Sequence, residues 1–336
     1  MMNRRMNKSD VGFTLLEFMI SMALFLVVAG AILGALLSYQ QRYRGLQLSA
    51  DLDQNMTAAL TQMSEEIGQA GTVSTAILKA DAVPLEGSSG AVATLTSAVS
   101  GTGTSQTASV SSTDNLFVNE KVSVGTGTTE EVVQITSVGS SSFAATFTEP
   151  HATSDPVVPT GVFLMGVIPP YLPSGSGLNS TAVSTSQTLK MFGDFNGDGT
   201  DELVVYDCAG ASATNPVSLT RSATPLSQTG GLDTAVIVMP KVTSCQFTYD
   251  CGATGTNGSG ACSASNDTVV SGVTLSITAE SQNNDPQTGV PVELTRTMVN
   301  IQPRNLLMGY ERYETNPSDN DLQPTPSMNT TALGSL

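Results

Sequence analysis

From Phe13 to Tyr39 the chain carries one charged residue, Glu17, in 27 positions. At about 1.5 Å per residue, some 20 helical residues cross a hydrocarbon core about 30 Å thick, so this run can span a membrane. A carboxylate in such a run costs roughly 2.5–3.5 kcal/mol at the helix centre and less toward its edge, so Glu17 needs a reason to be there. Arg4, Arg5 and Lys8 precede the run. This short basic leader stays cytoplasmic by the positive-inside rule, which places everything after Tyr39 on the exported side. An ordinary secretory signal and a plain single-pass anchor compete with this reading. The run is long for a signal, contains a Glu and has no A-x-A site at its end.

The junction itself is Gly12-Phe13-Thr14-Leu15-Leu16-Glu17. With its basic leader and apolar helix it resembles the prepilin signature of type IV pilins and type II secretion pseudopilins. That resemblance implies cleavage of residues 1–12 after Gly12 by a prepilin peptidase, methylation of the new N-terminus at Phe13, and a role for Glu17 in subunit docking. Cleavage would leave an ammonium at Phe13, about one helical turn from Glu17. The partner of Glu17 is then either its own terminus or that of a neighbouring subunit, and both readings stand. The order of later features is most like PilW-type minor pilins.

Beyond Tyr39 the pattern becomes amphipathic. Leu48, Leu52, Met56, Leu60, Met63 and Ile67 fall on one helical face, and Gly68 and Gly71 mark a stop. No proline interrupts 13–70, so one helix is expected there, with 13–39 as its membrane half and an amphipathic half that must dock on something C-terminal. Gly30 and Gly34 form a G-x-x-x-G pair, read equally well as a helix–helix contact or as glycine tolerated in lipid.

The expected fold class is α+β: this helix packed on an antiparallel β-rich domain at 71–313, with a small β module inserted at 104–158 and a disordered tail at 314–336. Leu116–Val118, Lys121–Val124, Glu131–Ile135 and Phe143–Phe147 read as the module's strands, separated by Gly, Ser and Asn turns. The module resembles small β units of surface and phage-tail proteins. His151, the only histidine, is expected to be an exposed, solvated residue of its polar loop. Further strands are expected at Phe163–Ile168, Leu189–Phe192, Leu203–Tyr206 and Ala235–Met239. Val273–Thr278 and Glu293–Ile301 read as a hairpin around Asp285-Pro286-Gln287-Thr288-Gly289.

One loop has a recognisable ligand pattern. In Asp194-Phe195-Asn196-Gly197-Asp198-Gly199-Thr200-Asp201-Glu202, oxygen side chains occupy positions one, three, five and nine. Ca²⁺ takes six to eight hard oxygens, so Asp194, Asn196, Asp198, Glu202 and the Thr200 carbonyl form a candidate Ca²⁺ set. Position twelve is Val205 and the flanks are strands, so this is not an EF-hand. The loop resembles the D-x-N-x-D-G loops of integrin-type extracellular β proteins. The competing reading is an Asx-rich turn without metal.

Cys208, Cys245, Cys251 and Cys262 all lie on the exported side, where two disulfides are expected; four cysteines allow three pairings and the sequence does not choose. The net charge is −16, and loss of a leader carrying Arg4, Arg5, Lys8 and Asp10, net +2, leaves −18. Such an acidic chain argues against nucleic acid and anionic lipid as partners, and favours solubility or cation binding. No catalytic set accompanies the single histidine, and no H-E-x-x-H, C-x-x-C or phosphate-cradling glycine loop occurs, so an enzyme is not expected. The resemblance implies a minor pilin, inner-membrane first and then periplasmic or extracellular in a pilus, with other pilins and the prepilin peptidase as partners. It would help prime assembly or form the tip. A J-type minor pseudopilin of type II secretion and a Ca²⁺-dependent pilus-displayed adhesin are the alternatives.

Overall fold

A computed structural model describes residues 14–73, 77–78, 83–84, 93–113, 116–171, 183–226, 232–252, 259–262, 269–315, 322–324 and 326. Helix α1, Leu15–Gln69, is one unbroken element of 55 residues, about 83 Å at 1.5 Å per residue. With no proline inside it, every interior N–H can bond the carbonyl four residues back. Its two halves differ in burial. Leu15 through Leu46 stay exposed at their large apolar positions, whereas Leu52, Met56, Leu60, Met63 and Ile67 are buried. The stripe read from spacing is therefore the packed face, with Leu48 half-buried at its start.

The helix ends through a glycine. Gly71 takes φ +91°, donates its N–H to the Phe192 carbonyl at 2.8 Å and accepts from the Phe163 N–H at 2.9 Å. A Cβ on Gly166 would stand 2.5 Å from the Gly71 backbone, so only glycine lets these two loops cross so closely.

Strands β1 (Ile77–Leu78) and β2 (Val83–Pro84) form a minimal antiparallel pair. Next come β3 (Ala93–Thr94), β4 (Thr104–Ser109), β5 (Lys121–Val124), β6 (Glu131–Gln134), β7 (Ser137–Val138), β8 (Ser142–Phe147) and β9 (Pro156–Pro159). They make two sheets, ordered β3-β9-β5-β6 and β4-β8-β7, with antiparallel pairing among the described residues. One apolar cluster serves both, including Leu95, Val122, Val133, Phe143, Phe147 and Val157. This ladder begins at Ala93, ahead of the expected 104. Leu116–Val118, expected as a strand, leads instead into a turn in which Asn119 takes φ 76°.

His151 also departs from expectation. It is 3% exposed, Nε2 lies 2.9 Å from Glu131 Oε1, and its ring meets Phe147 edge-on at 5.7 Å. A polar flank in the sequence concealed a buried ring, because the burying groups come from β6 and β8.

After β10 (Val162–Phe163) the expected strand Phe163–Ile168 becomes a turn, and Val167 only bridges to Met191. The main antiparallel sheet holds β11 (Thr188–Gly193), β12 (Glu202–Asp207), β13 (Val217–Pro225), β14 (Val236–Gly252), β15 (Ser259–Ala261), β16 (Val270–Asn284) and β17 (Pro291–Ile301). Its order is β11-β12-β13-β14-β16-β17, with β15 beside β14. Helix α2 (Arg304–Thr315) follows, and β18 (Leu322–Gln323) pairs in parallel with β10. The expectation of a disordered tail from 314 fails at β18. Gln323 is 1% exposed, and its amide bonds the Lys121 N–H and the Lys121 and Thr160 carbonyls. The coarse architecture is thus a long N-terminal apolar helix followed by an antiparallel β-rich region of several sheets.

By internal contacts the chain divides into two units, 1–51 with 281–292, and 52–280 with 293–336. In the first, the β16–β17 turn closes through Asp285 N–H to the Val290 carbonyl at 2.9 Å, and a Cβ on Gly45 would meet Asp285 Oδ1 at 2.9 Å. In the second, the buried face of α1 is tied to the main sheet. Arg221 Nε donates to both Glu66 carboxylate oxygens at 2.9 and 3.0 Å, and Tyr206 Oη donates to Oε2 at 2.7 Å.

Candidate functional site

Two places carry the sequence's functional expectations. The first is the N-terminus of α1, where Gly12 and Phe13 lie outside the described residues. Thr14 and Glu17 form a capping box. Thr14 N–H and Oγ1 donate to Glu17 Oε2 at 3.1 and 3.0 Å, and Glu17 N–H donates to Thr14 Oγ1 at 3.3 Å. The carboxylate therefore satisfies two donors of its own chain. The T-x-x-E spacing that signals this arrangement was present in the sequence and went unread.

The second place is the turn joining β11 to β12, where Gly193 and Glu202 are cross-strand partners. The antiparallel register brings Asp194 and Glu202 to the same end of the hairpin. Gly197 and Gly199 take φ +68° and +89°, a conformation most side chains avoid, and so fold the segment back on itself. Asp194 Oδ1 accepts from Gly197 N–H at 2.9 Å and Oδ2 from Gly199 N–H at 3.0 Å. Asn196 Oδ1 accepts from Asp198 N–H at 3.0 Å, and Asn196 Nδ2 donates to Asp198 Oδ2 at 2.8 Å. Thr200 N–H then reaches Asp198 Oδ1 at 2.8 Å. These bonds draw Asp194, Asn196, Asp198 and Thr200 into one turn, with the side-chain oxygens already engaged by the loop's own donors. Among the described residues, no three His, Cys, Asp or Glu side chains converge as a metal cage.

Electrostatically the turn is governed first by burial, with like charge a smaller contribution. Burial raises the Asp194 carboxyl above its usual value, against the lowering effect of the Gly199 and Gly197 N–H groups. Glu202 is pushed up to about 7, first by burial, with Asp198, Asp194 and Glu66 adding repulsion and Arg221 opposing it. Glu120, from the turn before β5, is fully buried. Burial first and then the Asp201 charge raise it well above the ordinary range, and its Oε1 has no hydrogen-bond partner among the described residues.

Glu66 is a buried carboxylate that sequence pattern does not single out. It is 8% exposed, and its negative charge, after burial, pushes the Tyr206 phenol strongly upward, so Tyr206 remains a donor. The one available signal was a carboxylate beside the apolar stripe, between Met63 and Ile67.

The four cysteines resolve into Cys208–Cys245 and Cys251–Cys262, with Cα separations of 6.3 and 4.9 Å. The first ties the end of β12 to β14, and the second staples β14 to the segment after β15. No protein family, characterised protein or solved structure matches the chain.

Proposed function

We propose that this chain is a minor pilin, a structural subunit of a type IV pilus, held in the inner membrane by the first half of α1 before assembly. The observation that carries the reading is the division within one helix. Its N-terminal half exposes Phe18, Ile20, Leu24, Phe25 and Leu33 at 53–70%, while its C-terminal half buries one face, from Leu52 to Ile67. An 18-residue window of that helix reaches a mean hydropathy of 2.6 with none of it buried, enough to cross a membrane by length and composition. Large apolar surface left open at this scale needs lipid or other apolar helices to cover it. The leader, Gly12, Phe13 and Glu17 supply the processing and docking chemistry of the prepilin resemblance. In this reading residues 93–159 are a module inserted into the pilin domain. N-terminal mass spectrometry should find a methylated Phe13, and an intact leader or a cut beyond Tyr39 would overturn the reading. Deletion should remove pili; a block in export of a secreted enzyme instead would make the chain a J-type pseudopilin.

We also propose Ca²⁺ for the β11–β12 turn, through Asp194, Asn196, Asp198, Glu202 and the Thr200 carbonyl. The support is the crowding of carboxyl groups there, which a divalent cation would relieve. The carboxylate oxygens keep lone pairs beyond those taken by the loop N–H groups. Calorimetry showing no heat of binding at millimolar Ca²⁺ would return the loop to an acidic turn.

A further inference from the structure

Between the apolar run, whose end it shares, and the buried stripe of α1 lies a short segment with no buried residue, next to Gly45 and the Asp285 turn beside it. It contains Tyr39, Arg42, Tyr43 and Arg44, all exposed, the two tyrosines at 67% and 54%. Arg42 and Arg44 are the only two cations within three positions of each other downstream of the leader, in a chain of net charge −16. No acidic residue intervenes between Glu17 and Asp51, and among the described residues neither guanidinium forms an ion pair.

Their placement is costly for the orientation set by Arg4, Arg5 and Lys8. Cations within about 15–20 residues of the exported end of a span work against a basic leader. Their arrangement around the helix is also informative. At about 100° per residue, Tyr39, Tyr43, Arg44 and Arg42 lie near 0°, 40°, 140° and 300°, an arc of about 200° that leaves the remaining 160° without them. An arc wider than half the circumference exceeds the roughly 100° stripe that one packed neighbour covers, whereas lipid can meet all of it. From Glu17 to Tyr39 the helix advances about 33 Å, close to the hydrocarbon thickness, so these four residues fall at headgroup depth. There tyrosines sit with an apolar body and a wet hydroxyl, and arginines pair with phosphate.

We propose that Tyr39, Arg42, Tyr43 and Arg44 form a girdle that binds anionic phospholipid headgroups of the exported-side leaflet. The girdle fixes how far the helix sinks into the membrane before the subunit is withdrawn into a filament. This rests on the membrane-anchor reading of α1. The test uses the full chain released from detergent in native mass spectrometry, with phosphatidylglycerol and phosphatidylcholine as probes, alongside alkaline extraction of membranes. Wild type should retain phosphatidylglycerol over phosphatidylcholine, and Arg42→Gln/Arg44→Gln should reduce that preference at least about tenfold while remaining membrane-integrated. Arg42→Lys/Arg44→Lys should keep most of it. Equal lipid retention by wild type and the Gln variant, with both still integrated, overturns the girdle alone. Wild type that is extracted at alkaline pH overturns the anchor and the girdle together. A Gln variant that keeps its lipid preference but fails to enter filaments assigns the arginines to a neighbouring subunit's carboxylate and overturns the proposal.

Discussion

Glu17 and Thr14 separate two roles that one carboxylate can play. Within the chain Glu17 closes a capping box that satisfies otherwise unpaired donors at the helix start. If that were its whole purpose, Thr14→Ala and Glu17→Ala would have similar, modest effects. The docking reading expects a difference: both variants processed and stable in the membrane, Thr14→Ala entering filaments, Glu17→Ala largely excluded. Immunoblots of sheared pili against membrane fractions measure it, and equal incorporation would leave the carboxylate to its own helix. Glu120 makes a separate residue-scale prediction. Its folded-state pKa lies above the unfolded value of 4.5, so the folded protein holds a proton that the unfolded chain has lost. Stability from this group therefore falls as pH rises above about 4.5. Glu202 acts in the same direction over the window from 4.5 to about 7. Glu120→Gln should raise the melting temperature at pH about 7.5 and change it little near pH 4.5. A lower melting temperature at pH 7.5 would mean that the charged form of Glu120 is needed.

Elements are held together here by a few cross-links of known strength. Reducing a disulfide releases loop entropy from the unfolded chain. The sequence separations of 37 and 11 residues correspond to about 4 kcal/mol for Cys208–Cys245 and about 3 for Cys251–Cys262. Paired Cys→Ala variants should show that order in urea denaturation, and non-reducing peptide mapping should recover this pairing alone. The attachment of α1 to β12 and β13 rests on Glu66. Its pair with Arg221 is only partly exposed, 10% and 21% by side chain, so removing one partner strands the other. Glu66→Gln should cost about 2–3 kcal/mol and speed amide exchange over residues 56–69 before it affects β14 and β16. Uniform exchange across all of these would mean that the helix and sheet open as one unit.

For the whole molecule, the acidic balance makes cations the natural stabilising solutes. Extracellular Ca²⁺ modules bind at about 10⁻⁴–10⁻³ M, and at tenfold that dissociation constant binding adds RT ln 11, about 1.4 kcal/mol. The full chain in detergent should therefore melt a few degrees higher in millimolar Ca²⁺ than in chelator, with Mg²⁺ a poor substitute because of its tight octahedral demand. Asp198→Ala should abolish the difference and leave the circular dichroism spectrum intact. A Ca²⁺ shift that survives Asp198→Ala would place the effect elsewhere on the acidic surface.

Much of this protein was readable before any coordinates. Hydrophobic period alone marked α1 and its buried stripe from Leu52 to Ile67, because helical burial repeats every three to four residues whatever it packs against. Alternation marked the β16–β17 hairpin, short apolar runs between turn residues marked β5, β8 and β12, and glycine marked the β11–β12 turn, since these signals are local. What escaped depended on contacts distant in sequence. His151 is buried by Glu131 and Phe147, Glu66 is neutralised by a residue 155 positions away, and Gln323 is held by a backbone 202 positions away. The disulfide pairing needed the register of β14 against β15 and of β12 near β14. The sequence by itself determined which residues must leave water and which chain segments are helical or extended. Only the tertiary structure decided which polar groups would be buried with them, because a buried charge is tolerated or not according to partners that folding brings from elsewhere in the chain.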